Sequence, residues 1–203
     1  MTAKMNTSYL LSAVSGYLIG SISFALLLAK FKGVDLREFG SGNLGATNAG
    51  RALGKKFGIV VYWLDMIKGA LPVLLARIIF DEDINVAVLV GAGAYLGHIW
   101  PLYLKFRGGK GVATLSGVLL VLAPAPTLIA GIAFFAIVYL SGMMSVGSLA
   151  LGAALPLSLF SYPGVADSIK YFSLFAGLFL YITHRSNIMR LLRGEESSIK
   201  KKK

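Results

Sequence analysis

From Ser8 to Ala29 the chain runs 22 residues without a charged side chain, and apolar runs of this kind recur along its length. A helix rises about 1.5 Å per residue, so roughly 20 apolar residues cross the hydrocarbon core of a bilayer. In that solvent a helix satisfies its own backbone hydrogen bonds, which an open sheet cannot do. Further runs fall at about 57–80, 84–104, 112–123, 127–140, 146–160 and 169–183, the shorter ones tolerable inside a bundle. The expected fold class is therefore all-α, a polytopic membrane protein with seven transmembrane helices. A hydrophobic content of 56%, a charged content of 14% and a mean hydropathy of +0.74 agree with it. The first run reaches Lys30-Phe31-Lys32 without a small-residue cleavage pattern and reads as a retained helix. Ser12, Gly16, Gly20 and Ser23 recur on it at three- and four-residue spacing, which suits close approach of another helix. Pro124-Ala125-Pro126 predicts a turn before the fifth helix. The uncharged break at Ser141 to Ser145 is the weakest, and losing it would leave six helices.

The basic residues orient these helices. Sixteen of the twenty Lys and Arg lie in three segments, Lys30 to Lys56, Lys105 to Lys110, and the tail from Arg185 to Lys203. With seven helices all three fall on one side, and the positive-inside rule makes that side cytoplasmic, with the N-terminus outside and the C-terminus inside. Asp81-Glu82-Asp83 and Asp167 then fall outside, whereas six helices would separate the basic tail from the basic loops. The formal charge of +11 is thus explained by topology, and no nucleic-acid partner is expected. Ser197 to Lys203 reads as a disordered tail whose lysines can touch anionic lipid. No repeat or linker divides the chain, so residues 1–203 are expected to form a single integral-membrane domain with cytoplasmic segments at about 31–56, 105–114 and 184–196. Nothing in the sequence sets the oligomeric state, a monomer included.

Those segments carry the polar chemistry. Gly40-Ser41-Gly42-Asn43-Leu44-Gly45-Ala46-Thr47-Asn48-Ala49-Gly50-Arg51 is dense in small residues and hydrogen-bond donors, which suits an oxygen-rich ligand as well as a turn. Lys105 to Thr114 sets Gly108, Gly109 and Gly111 around Lys110, so that backbone N–H groups could converge on a phosphate. If the last helix continues past the membrane surface, His184 and Asn187 lie on one face of it. Within the spans, Asp65 and Lys68 at i and i+3 suggest a mutual ion pair, and His98 a bundle histidine bordering the glycine loop.

Several chemistries are excluded. Zero cysteines remove disulfides, thiolate metal sites and cysteine nucleophiles, and two distant histidines with few carboxylates on the inner side leave no metal site. Lys110 is followed by Gly111, which breaks P-loop spacing. The residues five positions after His98 and His184 are Tyr103 and Met189, so no His-x4-Asp acyltransferase motif is present, and no G-x-S-x-G elbow occurs. No cofactor is expected. An organic-phosphate transporter would need polar residues lining a path across the bilayer, as Asp65 and Lys68 could, but most polar residues gather on one side. An inactive lipid-binding subunit would have no use for dense donor loops.

Together, Ser41-Gly42-Asn43 through Thr47-Asn48 and Arg51, then Gly108-Gly109-Lys110-Gly111-Val112-Ala113-Thr114, then His184-Arg185-Ser186-Asn187-Ile188 with Arg190-Leu191 and Gly194-Glu195-Glu196, resemble the bacterial acyl-phosphate:glycerol-3-phosphate acyltransferase family (PlsY). Matching to Gly-x-Glu favours Glu196 for the family's glutamate. The resemblance implies transfer of a fatty acyl group from acyl phosphate to the 1-hydroxyl of glycerol 3-phosphate at the inner face of the bacterial cytoplasmic membrane. It implies catalytic roles for Ser41, Arg51, Lys110, His184 and Asn187, and substrate contacts from Gly42, Asn43, Thr47, Asn48, Gly108, Gly109, Gly111 and Thr114. The implied partners are the two small-molecule substrates and membrane lipid. Which loop holds which phosphate, and whether His184 or a substrate phosphate takes the proton, stay open. The acyl chain is expected between helices, with room left by Gly16, Gly20, Ala113 and Gly117.

Overall fold

Glycine decides which helices of this chain lie together. In the computed structural model, which describes residues 2–80 and 83–199, every regular element among the described residues is helical. The elements are α1 (Thr2–Gly20), α2 (Phe24–Phe31), α3 (Ala46–Leu53), α4 (Lys55–Ile79), α5 (Ile84–Ile99), α6 (Val112–Leu122), α7 (Pro124–Ser141), α8 (Met144–Ser161), α9 (Asp167–Thr183) and α10 (Arg185–Leu192), with a 3-10 turn at Leu102–Leu104. They fall into two compact units, Met1–Leu122 and Ala123–Lys203.

In the first unit α1 lies along α5 with glycines facing backbone from both sides. A Cβ at Gly16 or Gly20 would run into the Val90 or Ala94 carbonyl, and one at Gly93 or Gly97 into the Ala13 or Tyr17 carbonyl. The pair α4 and α6 repeats the device, with Gly69 against the Thr114 carbonyl and Gly117 against that of Met66. Without side chains between them, the helix backbones approach to dispersion contact, the main attraction available among helices in lipid. The space at Gly16, Gly20 and Gly117 is therefore filled by neighbouring helices, and the expected room for an acyl chain is not there.

The first apolar run is two helices. Ser21 donates its hydroxyl to the Tyr17 carbonyl at 2.8 Å, the chain breaks, and Ser23 caps α2 by accepting from the Leu26 N–H at 3.4 Å. The polar segment that follows contains a helix, α3, which packs on α4 through Gly50 and Gly58.

In the second unit Pro124 begins α7, where a missing N–H costs nothing, so the expected turn is a helix start. Gly142, at φ 71°, separates α7 from α8, so the uncharged break is real. Gly152 and Gly177 bring α8 and α9 together, and the Tyr181 hydroxyl donates to the Leu149 carbonyl at 2.9 Å. The apolar run and the tail are not one helix. They part at His184, and Ser198 and Ile199 then bond back to the Gly142 carbonyl at 3.1 and 2.7 Å, so the tail is ordered at least to Ile199.

Five segments among the described residues are long and apolar enough to cross a membrane, Tyr9–Phe31, Lys55–Ile79, Ile84–Leu104, Pro124–Ser141 and Met144–Ser161, and Val112–Leu122 is a shorter apolar helix. The expectations placed on Asp81, Glu82 and Lys200 to Lys203 lie outside the described residues.

Candidate active site

The Gly40 to Arg51 segment is folded around one side chain. Asn48 is 2% exposed and donates to the Leu36 and Phe39 carbonyls at 3.1 and 3.0 Å, while its Oδ1 accepts from the Ser41 N–H at 3.1 Å. Gly40 turns at φ 58° because a Cβ there would stand 2.6 Å from Asn48 Oδ1. Asn48 thus shapes the loop from inside, with Gly42 and Asn43 half-buried and Ser41, Thr47 and Arg51 exposed around it. Thr47 and Arg51 are four apart on α3 and share a face.

The glycine loop is a return onto the end of α5. Lys105 and Phe106 take left-handed conformations at φ 52° and 61°, which side chains rarely adopt. The chain then doubles back, and the Gly108 and Gly109 N–H groups donate to the Ile99 and His98 carbonyls at 3.1 and 3.0 Å. Those two donors are used within the loop, so the convergence of glycine N–H groups expected from the spacing is not what these glycines provide. They provide close approach. A Cβ at Gly108 would meet the His98 and Ile99 carbonyls, and one at Gly109 the His98 ring. Gly111 instead needs its φ of 91°, with the Tyr95 ring beside it. Lys110 is half-buried between them and Arg107 exposed. Thr114 is fully buried, with its methyl and carbonyl against Gly69, and holds a packing position on α6.

Below the loop lies the side-chain cluster of the first unit. Lys68 Nζ is 2.7 Å from Asp65 Oδ1, as the spacing suggests, and donates to the Ile22 carbonyl at 2.7 Å. His98 Nδ1 stands 3.7 Å from the same carboxylate oxygen. A small pocket is lined by Ser21, Ser23, Leu44, Lys68, His98 and Gly109 among others. It joins the first polar segment to the glycine loop.

The second unit carries the third segment. His184 sits at the junction of α9 and α10, 3% exposed, and its Nδ1 donates to the Leu180 carbonyl at 2.9 Å. That bond fixes the tautomer and leaves the neutral ring's lone pair on Nε2. Asn187, buried one turn on, donates to Glu196 Oε1 at 2.8 Å, and Arg190 Nε donates to Oε2 at 2.8 Å. Gly194, at φ 71°, makes the turn that brings Glu196 back onto α10. Burial works to raise the Glu196 pKa, but the hydrogen bonds from Asn187 and Arg190, the nearby Ser145 side chain and the charge of Arg190 outweigh it and hold the carboxyl below its ordinary value. Glu195 is exposed. Sequence reasoning noted Glu196 by motif but gave it no task. The available signal was Gly194, a residue that lets a chain reverse after a helix. Among the described residues no group of three or more His, Asp or Glu could hold a metal ion.

The chain is similar to known proteins over most of its length. Residues 10–194 match the family model described as glycerol-3-phosphate acyltransferase. A glycerol-3-phosphate acyltransferase of Myxococcus xanthus is 50% identical over 184 residues, covering 89% of this chain and 94% of the relative. One of Aquifex aeolicus is 40% identical over 183 residues, covering 90% and 95%. A crystal structure of PlsY, an integral membrane glycerol 3-phosphate acyltransferase in its glycerol 3-phosphate form, superposes with a TM-score of 0.89 at 40% identity over 94% of this chain and 95% of that one. With a donor-rich loop, a glycine loop and a His-Asn pair each placed by its own packing, and with residues 10–194 matched by the family model, this chain belongs to the glycerol-3-phosphate acyltransferase family.

Proposed function

We propose that this acyltransferase takes its acyl group from an acyl phosphate, passes it to the 1-hydroxyl of glycerol 3-phosphate, and releases 1-acyl-glycerol 3-phosphate and inorganic phosphate. The observation that carries the reading is that PlsY, whose solved glycerol 3-phosphate form this chain resembles, also has a lysophosphatidic acid form at a TM-score of 0.87 and 39% identity. Those two ligands are the acceptor and the product of such a transfer. An oxygen of glycerol 3-phosphate forms a bond to the acyl carbonyl carbon, the carbon–oxygen bond to phosphate breaks, and the hydroxyl proton passes to His184 Nε2 or to the departing phosphate. Because phosphate is a good leaving group, positioning of the two reactants supplies much of the rate, on the order of 7–11 kcal/mol.

Ser41 and Arg51 hold one substrate phosphate with Asn43 and Thr47, and Lys110 holds the other from the loop that Gly108, Gly109 and Gly111 shape. His184 and Asn187 orient the hydroxyl and the carbonyl. Both units act as one domain in this reading. Val112–Leu122 and Asp167–Thr183 complete seven spans in a bacterial inner membrane, with the N-terminus outside and the three motif segments in the cytoplasm. The cysteine-free chain makes the orientation testable, since a single cysteine at Ser197 should react with a membrane-impermeant maleimide only after the vesicles are opened.

The decisive assay is purified protein in lipid with both substrates. Phosphate release that requires acyl phosphate and glycerol 3-phosphate together, with formation of the acylated product, supports the proposal. Release that ignores glycerol 3-phosphate overturns it.

A further inference from the structure

Asp65, Lys68 and His98, on α4 and α5, are 2%, 5% and 6% exposed. A buried ion pair is a poor device for stability, because desolvation offsets most of the attraction and apolar side chains of the same volume do as well or better. Such a cluster has to be explained by the geometry it fixes. Its contacts reach two separate stretches of chain. Lys68 donates to the Ile22 carbonyl, exposed where α1 breaks, and its ammonium lies 5.8 Å from the Phe24 ring at the start of α2. Asp65 Oδ1 holds Lys68 at 2.7 Å and stands 3.7 Å from His98 Nδ1. The opposite edge of the His98 ring faces the glycine loop, so that a Cβ at Gly109 would strike Nε2 and come within 2.7 and 3.1 Å of two ring carbons. The His98 carbonyl meanwhile accepts the Gly109 N–H at 3.0 Å. Ring and carbonyl of one residue thus hold one glycine, immediately before Lys110.

We infer that the Asp65–Lys68–His98 cluster is a positioning device for the glycine loop, with His98 as the seat on which Gly109 rests and the Asp65 carboxylate, 3.7 Å from Nδ1, as the charged anchor that faces the ring's other edge. The seat sets where Lys110 stands, and Lys68 ties the same anchor to the α1–α2 break, which lines the same pocket. His98 and Asp65 act through the loop and are positioning residues. The inference rests on the proposed function only in taking Lys110 to meet a substrate phosphate.

The test is a double-mutant cycle on the full chain in lipid, read as KM for each phosphorylated substrate and as kcat, together with trypsin cleavage after Lys105, Arg107 and Lys110 in the absence of substrate. Gly109→Ala is expected to raise at least one KM roughly tenfold or more, with a smaller change in kcat. His98→Ala raises the same KM and speeds nicking of the loop, and the double variant is no worse than His98→Ala alone, because the added methyl no longer meets a ring. Asp65→Asn reproduces the KM shift in smaller measure. Single effects that multiply in the double variant overturn the inference, as does wild-type KM and wild-type nicking in His98→Ala. If His98→Ala does not accumulate, His98→Gln takes its place under the same criteria. Should the wild-type protein transfer no acyl group, the proposed function falls, and the nicking comparison alone decides the seat: faster cleavage sustains it and unchanged cleavage ends it.

Discussion

The glycine loop and the His184–Asn187 segment are placed by opposite means. In the loop, Gly108 and Gly109 are fixed by N–H bonds to the carbonyls of His98 and Ile99. In the third segment, Asn187 and Arg190 are fixed by the two oxygens of the Glu196 carboxylate. Geometry set by backbone does not titrate, but it has no space for a Cβ. Geometry set by a carboxylate tolerates changes of volume, yet it depends on a charge. The two segments should therefore fail in different ways when they are disturbed.

The largest expected effect is on the side-chain arm. His184→Ala removes an imidazole whose Nδ1 is committed to the Leu180 carbonyl, which leaves Nε2 as the basic nitrogen of the neutral ring. If His184 is the acceptor, kcat falls by about 10²–10⁴ with little change in KM. Turnover within a few-fold of wild type would assign the proton to the departing phosphate instead. Next comes the backbone arm. Gly108→Ala puts a methyl against the His98 and Ile99 carbonyls, neither of which can rotate away. Overpacking of this kind costs roughly 1–3 kcal/mol of stability unless the loop shifts, and a loop that shifts moves Lys110, for which a loss on the order of tenfold or more in kcat/KM is expected. Both contacts are to backbone carbonyls, which do not titrate, so the loss in kcat/KM of Gly108→Ala should be the same across the pH range, and a loss that varied with pH would place the new methyl against the His98 ring instead.

The same contrast explains what the sequence could tell. Apolar runs announced most helices, because a span must bury about 20 apolar residues whatever its neighbours are. The break at Ser21 to Ser23 was invisible, since its residues are as apolar or small as those around them, and the Ile22 carbonyl at the break is met by Lys68 from a distant part of the sequence. Helix α3 was missed because Gly50, Asn48 and Thr47 are weak helix formers, and tertiary hydrogen bonds of Asn48 outweigh that preference. At the site, glycine spacing located the loop correctly but misstated its use. Spacing reports where φ is free, whereas only coordinates show that the Gly108 and Gly109 N–H groups are already bonded. The Glu196 clasp joins residues nine apart across a turn, a separation that helical periodicity does not cover.

Smaller effects separate the two adjacent glutamates. Glu196→Gln keeps the side-chain volume but removes the charge that Arg190 and Asn187 address. Charge-assisted hydrogen bonds contribute about 1.5–3 kcal/mol when buried, and less here because the Arg190 side chain is 32% exposed, so a loss of about 1 kcal/mol and a melting temperature lower by roughly 2–4 °C are expected at pH 7. The sign of the pH dependence follows from the lowered pKa. A carboxyl with a depressed folded-state pKa adds stability that is present above its unfolded value, about 4.3, and is lost as pH falls through the folded value. The gap in melting temperature between wild type and Glu196→Gln should thus be full at pH 7 and close at acidic pH, below about 4. Glu195→Gln, at an exposed position, should stay within about 0.5 kcal/mol of wild type at every pH. If Glu195→Gln carried the pH-dependent gap and Glu196→Gln did not, the motif's glutamate would be Glu195, and the carboxylate that holds Asn187 would have to be assigned afresh.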